Sequence, residues 1–194
     1  MKFSIVHQEN YSRGELLLRT FLGFFYIVIP HGFLLFFLEI WSAILSFISW
    51  WIILFTGKYP QSFFEFQEGL VRWSVRVSAR FYNLCDGYPA FGISATDDKT
   101  EFNIEYPESS SRGLLLLRIF FGFIYVLIPH GFLLFFYGIW VMILAFIAFW
   151  VVLFTGNYPI SWHETLISYI RWNLRVTLYM KFMTDVYPPF NGKE

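Results

Sequence analysis

A chain of 194 residues that is 57% hydrophobic, 24% aromatic and only 14% charged, with a mean hydropathy of +0.53, carries more apolar surface than a soluble domain of its length can bury. Fourteen basic and fourteen acidic residues give a formal net charge of zero, so the overall balance points to no nucleic-acid or acidic partner. These values exclude an ordinary soluble domain and predict an integral membrane protein.

The chain opens on a polar leader in which Phe3 and Ile5 alternate with polar residues, the pattern of a short strand. Lys2, His7 and Glu9, with no small-residue cleavage site after a short apolar core, argue against a removable signal peptide. From here the sequence is written twice. Residues 3–91 align with 102–190 at a constant offset of 99, with 46 of 89 positions identical. The repeats are taken as 1–91 and 102–194, joined by a linker at 92–101. Two lone strands are marginal, so the leaders, with Phe102 and Ile104 in the second, are expected to pair with each other.

After SRG (Ser12 to Gly14, Ser111 to Gly113) each repeat runs through about forty apolar residues, twice the roughly 20 that one helical span requires. The run is broken only at Pro30, His31, Gly32 and at Pro129, His130, Gly131. Proline lacks a donor and disfavours helix before it, and glycine permits reversal. The spacing therefore predicts a helical hairpin over 12–55 and another over 111–154, four transmembrane helices in all, with Arg19 and Arg118 snorkelling near the start. A wedge that enters one leaflet and returns is the alternative. Even numbers of spans would give both repeats one orientation. The lysines and arginines lie away from the two turns, which under the positive-inside rule makes that face, with both termini, cytoplasmic.

Gly57 and Gly156 in LFTGxYP fit helix C-termini, with Pro60 and Pro159 shortly after. Next, Phe63, Phe66, Leu70, Trp73, Val77, Phe81 and Leu84 draw an apolar stripe beside a basic line of Arg72, Arg76 and Arg80. The second copy keeps Trp162, Tyr169, Trp172, Val176 and Met180 on the stripe and Arg171 and Arg175 on the line, with Tyr179 replacing the third arginine. Amphipathic helices are expected over 61–85 and 160–184, lying in the headgroup plane. Arg72, Trp73, Arg76, Arg80, Arg171, Trp172 and Arg175 are the candidate lipid contacts, anionic lipid included. The bland alternative is ordinary anchoring, or pairing with Glu65, Glu68 and Glu164.

SRGxLLLR, IPHGFLL, LFTGxYP, RWxxRV and DxYPPF, in this order and twice, resemble an uncharacterised family of bacterial membrane proteins catalogued as a domain of unknown function, in which one such unit commonly forms a domain. The second copy ends in DVYPPF (Asp185 to Phe190); the first, DGYPAF, departs at Ala90. The resemblance implies a bacterial cytoplasmic-membrane setting and brings no activity.

Three polar features within the apolar runs are candidates for chemistry. Glu39 faces Gly138 in the alignment; an intramembrane carboxylate is by default a functional hypothesis, here a proton or cation site, and the bland alternative is a protonated or hydrogen-bonded glutamate near the far interface with Tyr26 or Tyr125 as its partner. His31 and His130 occupy equivalent positions; without ligand spacing they suit a turn better than a metal or haem site. The lone Cys85, aligned with Thr184, offers no intramolecular disulfide. No P-loop, nucleophile elbow, HExxH, CxxC or dinucleotide fingerprint occurs.

The sequence thus predicts an all-α membrane protein of two tandem hairpin-plus-amphipathic-helix repeats with strand-like leaders, no catalytic set, no cofactor and no metal. The expected function is a non-enzymatic accessory or scaffold subunit of a homo- or hetero-oligomeric membrane complex. A channel or transporter and a membrane-shaping hairpin protein are the alternatives.

Overall fold

The computed structural model describes residues 1–193. Strand β1 (Lys2–Ile5) is followed by α1 (Arg13–Gly23), a π-helical turn (Phe24–Val28), α2 (Ile29–Thr56) and α3 (Gln61–Phe81). The second repeat gives β2 (Thr100–Asn103), α4 (Arg112–Gly122), a second π-turn (Phe123–Leu127), α5 (Ile128–Thr155) and α6 (Ile160–Met180). The leaders do pair: β1 and β2 form an antiparallel two-stranded sheet with Phe3 opposite Phe102.

The hairpin gives way to one continuous helix. α1, the π-turn and α2 run unbroken from Arg13 to Thr56, and α4 to α5 from Arg112 to Thr155, 44 residues each. Among the described residues two helices, not four, are therefore long and apolar enough to cross a membrane, and an even number of spans per repeat no longer follows. Pro30 and Pro129 are the second residues of α2 and α5, directly after the π-turns, so each sits inside the continuous helix and withholds a donor from it.

The ends obey the capping signals. Ser12 and Ser111 accept the amides of Glu15 and Leu114 at 3.3 Å, and Gly57 and Gly156 close the long helices at φ +74° and +79°, a region costly for other residues. At both joins the start of one long helix lies against the end of the other: Arg13 donates to the Phe154 carbonyl (3.1 Å) and Arg112 to that of Phe55 (2.9 Å). Each leader thus supports the other repeat.

α3 and α6, 21 residues or about 31 Å, return along helices that would measure about 66 Å if straight. α3 and the turn that follows it meet both α1 and α2, through Arg19 with Asn83 of the turn, His31 with Trp73 and Ser42 with Gln67. π-turns and prolines are the places where a long helix can bend, and the first long helix has both between its Arg19 and Ser42 contacts. The core, including Leu16, Ile53, Val75, Leu115, Val152 and Leu166, lies where the two repeats meet. The outer faces of the long helices stay uncovered.

Candidate functional site

The candidate residues fall into three groups. The first surrounds the prolines. Because Pro30 has no N–H, the carbonyl of Tyr26, four residues earlier, loses its helical donor. The hydroxyl of Tyr88 donates to it at 2.9 Å, and Tyr187 serves Tyr125 in the same way at 2.9 Å. The YPxF end of each repeat therefore replaces a hydrogen bond that the proline removes.

His31 and His130 lie beneath these ends, fully buried rather than at an interface. The indole N–H of Trp73 donates to His31 Nδ1 (2.8 Å) and that of Trp172 to His130 Nδ1 (2.9 Å), which fixes the remaining proton of each neutral ring on Nε2. Phe91 stacks on His31 with centroids 3.8 Å apart, and Phe190 on His130 at 4.1 Å. The histidines are wedges, held by tryptophans expected to face lipid. Among the described residues no group of three His, Cys, Asp or Glu side chains could hold a metal ion.

The second group is the arginines, which turn inward. Arg76 is wholly buried and donates to the carbonyls of Ala90, Gly92 and Ala95. Arg80 makes a bidentate pair with Asp97, and Arg72 pairs with Glu68 at 3.1 Å while donating to Phe102. Burial alone would raise the Asp97 carboxyl, but Arg80 and the Lys99 amide hold it below the usual range. In the second repeat Arg171 donates to the carbonyls of Gly192 (2.8 Å) and Phe3 (3.5 Å), and Arg175 makes one 3.4 Å bond to Asn191. Arg76, Arg80 and Arg171 are buried against the linker and the chain ends, Trp73 and Trp172 of the stripe are buried against the long helix of their own repeat, and Arg72 and Arg175 stay partly exposed. Arg19 and Arg118 are likewise buried, paired with Asp86 (2.7 Å) and Asp185 rather than snorkelling.

The third group forms around Glu39, whose partner is neither tyrosine. Lys181, at the end of α6, donates to Glu39 Oε2 (3.0 Å), Ser42 Oγ (3.0 Å) and Gln67 Oε1 (3.3 Å). The Ser42 hydroxyl donates to Gln67 (2.6 Å), and the Gln67 amide donates to the Ser42 carbonyl and to Ser46. Each of the five side chains has another of the set as a partner, and the network joins the repeats.

A buried histidine lies outside the long helices, in α6. His163 is 2% exposed and its Nε2–H donates to the Leu84 carbonyl at 3.0 Å. Burial lowers its pKa to about 4, outweighing that hydrogen bond. The unfolded chain takes up this proton near pH 6.5 and the folded one only near 4, so the contribution is complete above 6.5 and lost as pH falls between the two. Between pH 7.5 and 5 the loss is expected to be about 2 kcal/mol, or about 5 °C in Tm. His163→Gln, which can still donate to Leu84, should show a flatter dependence in thermal melts; an unchanged slope would remove His163 as the cause.

No curated protein and no solved structure matches the chain. The family described as Domain of unknown function (DUF4389) matches it twice, at residues 15–92 and 115–191, each match running from the first turns of a long helix to the YPxF end that folds back over its proline. The chain is thus a tandem duplication belonging to that family.

Proposed function

We propose that the chain is a non-enzymatic integral protein of a bacterial inner membrane, an accessory or scaffold subunit that assembles with itself or a larger membrane complex. The observation that carries this reading is the outer surface of the long helices. From Phe21 to Phe55 every fully exposed residue is apolar except Glu39, and from Leu116 to Phe154 none is polar or charged apart from the backbone of Gly131. Phe55 and Phe154 are each 73% exposed. A continuous aromatic surface of this extent is costly in water and suited to hydrocarbon.

Lipid contact on this reading belongs to the long helices, and α3 and α6 form the inner support. The excess of a 66 Å helix over a hydrocarbon core of about 30 Å is absorbed by tilt and by the bend at the π-turn. Phe3 and Gly192 lie together, both within reach of Arg171. On this reading the side of the molecule that carries them, where basic residues gather around the strands, is the cytoplasmic one. The test is native mass spectrometry of the protein extracted in lipid nanodiscs. A defined homo-oligomer or a stable co-purifying membrane protein is expected; isolated monomers without a partner would defeat the scaffold reading.

A further inference from the structure

The network around Lys181 is the largest departure from the symmetry of the duplication. Subtracting the repeat offset places Gly138, Val141, Ala145 and Leu166 where the first copy has Glu39, Ser42, Ser46 and Gln67, and Tyr82 where the second has Lys181. All five positions are polar at one inter-repeat contact, and at the other, four are apolar or glycine and the fifth is a tyrosine. The second contact is an aromatic seam: a Cβ on Gly138 would come within 3.0 Å of the Tyr169 hydroxyl, and Tyr82 lies near Tyr169.

We propose that this cluster is a pairing code: the α2–α3 surface of the first repeat accepts the α6 end of the second repeat and rejects a like copy. The joins are otherwise reciprocal, with Arg13 on Phe154 mirrored by Arg112 on Phe55, so the backbone contacts do not distinguish like from unlike repeats. The side chains do. Two first repeats would set Glu39 against Tyr82 and leave a carboxylate with the buried Ser42 and Gln67 but no cation. Two second repeats would set the Lys181 ammonium against Gly138, with Val141 and Leu166 in place of its acceptors. The cost falls mainly on Lys181, whose side chain is 19% exposed, and on the buried Ser42 and Gln67, rather than on Glu39 at 47%; an unpaired ammonium among apolar residues is strongly unfavourable, and one misplaced polar group suffices to set partner choice. Repeats of different chains then do not exchange through this surface, and any larger assembly uses the outer aromatic faces.

The Lys181 half of the inference rests on the contact between repeats alone, and the Glu39 half rests also on the proposed lipid-facing surface, since Glu39 is exposed there. It is tested in the full chain by charge exchange. Glu39→Lys and Lys181→Glu are each expected to lower Tm by about 5 °C, and the double variant to recover at least half of the summed loss. Should the reversals fold poorly, Glu39→Gln and Lys181→Met provide the same cycle at smaller amplitude. Selectivity is read by bismaleimide cross-linking in a Cys85→Ser background. Glu39→Cys with Lys181→Cys should link within one chain, whereas Glu39→Cys with Tyr82→Cys, the position a like copy would present, should give no link between chains joining these two positions when the linked peptides are identified by mass spectrometry. A silent charge cycle, or links between chains joining the second cysteine pair, would overturn the proposal.

Discussion

Replacing Arg76 with methionine is expected to lower Tm by about 10 °C, while the same change at its repeat equivalent, Arg175, should cost about 2 °C or less. The two positions are related by the duplication and would be alike if both were headgroup anchors. The structure makes them unlike. Arg76 is wholly buried and is the donor to three loop carbonyls, those of Ala90, Gly92 and Ala95. Methionine fills part of the volume but donates nothing, and each of these partly buried carbonyls left unpaired costs about 1 kcal/mol or more, up to about 3 where water cannot reach it. Relaxation of the loop limits the total to about 3–5 kcal/mol, the range for breaking a buried charged network. Arg175 has one long bond, 3.4 Å to Asn191, and is partly exposed. Thermal melts at fixed lipid composition measure both. Equal shifts, or an Arg76 shift that follows the anionic lipid content, would return the basic line to the membrane surface.

That contrast marks where the sequence stops being legible. Local signals are sound: Ser12 and Ser111 do cap, Gly57 and Gly156 do terminate, the two leaders do pair, and the amphipathic periodicity does mark helices at 61–81 and 160–180. The proline is different, because whether Pro30 ends a helix depends on whether some distant donor reaches the Tyr26 carbonyl. That donor, Tyr88, is 62 residues away. An apolar stripe reads the same against lipid or against protein, so the burial of Trp73 and Trp172 beside the histidines has no local signature. The Glu39 partner lies 142 residues along the chain. A signal for it does exist in the repeat: Glu39, Ser42 and Ser46 share one helix face at spacings of three and four, and all three are replaced by Gly138, Val141 and Ala145. Read together, such joint replacement points to a contact that one copy has and the other lacks.

The outer surface of the long helices is tested most directly by giving it a charge. Phe36 and its equivalent Phe135 are 61% and 64% exposed and lie in α2 and α5 among other exposed aromatics. In water, replacing an exposed phenylalanine by lysine is close to neutral, because the charge stays solvated and no buried contact is lost. In hydrocarbon the same change costs about 2.5–3.5 kcal/mol near the middle of a spanning helix, reduced where the side chain can snorkel to the headgroups. Phe36→Lys and Phe135→Lys should therefore each lower the membrane-fraction abundance several-fold, and Phe36→Leu should leave it unchanged. The two residues are on different helices, so the double variant should lose about the sum in free energy. Quantitative blotting of membrane and soluble fractions reads the outcome. If both lysine variants remain at the level of the parent chain, or pass into the soluble fraction as folded protein, the aromatic surface does not face lipid and must be covered by protein instead.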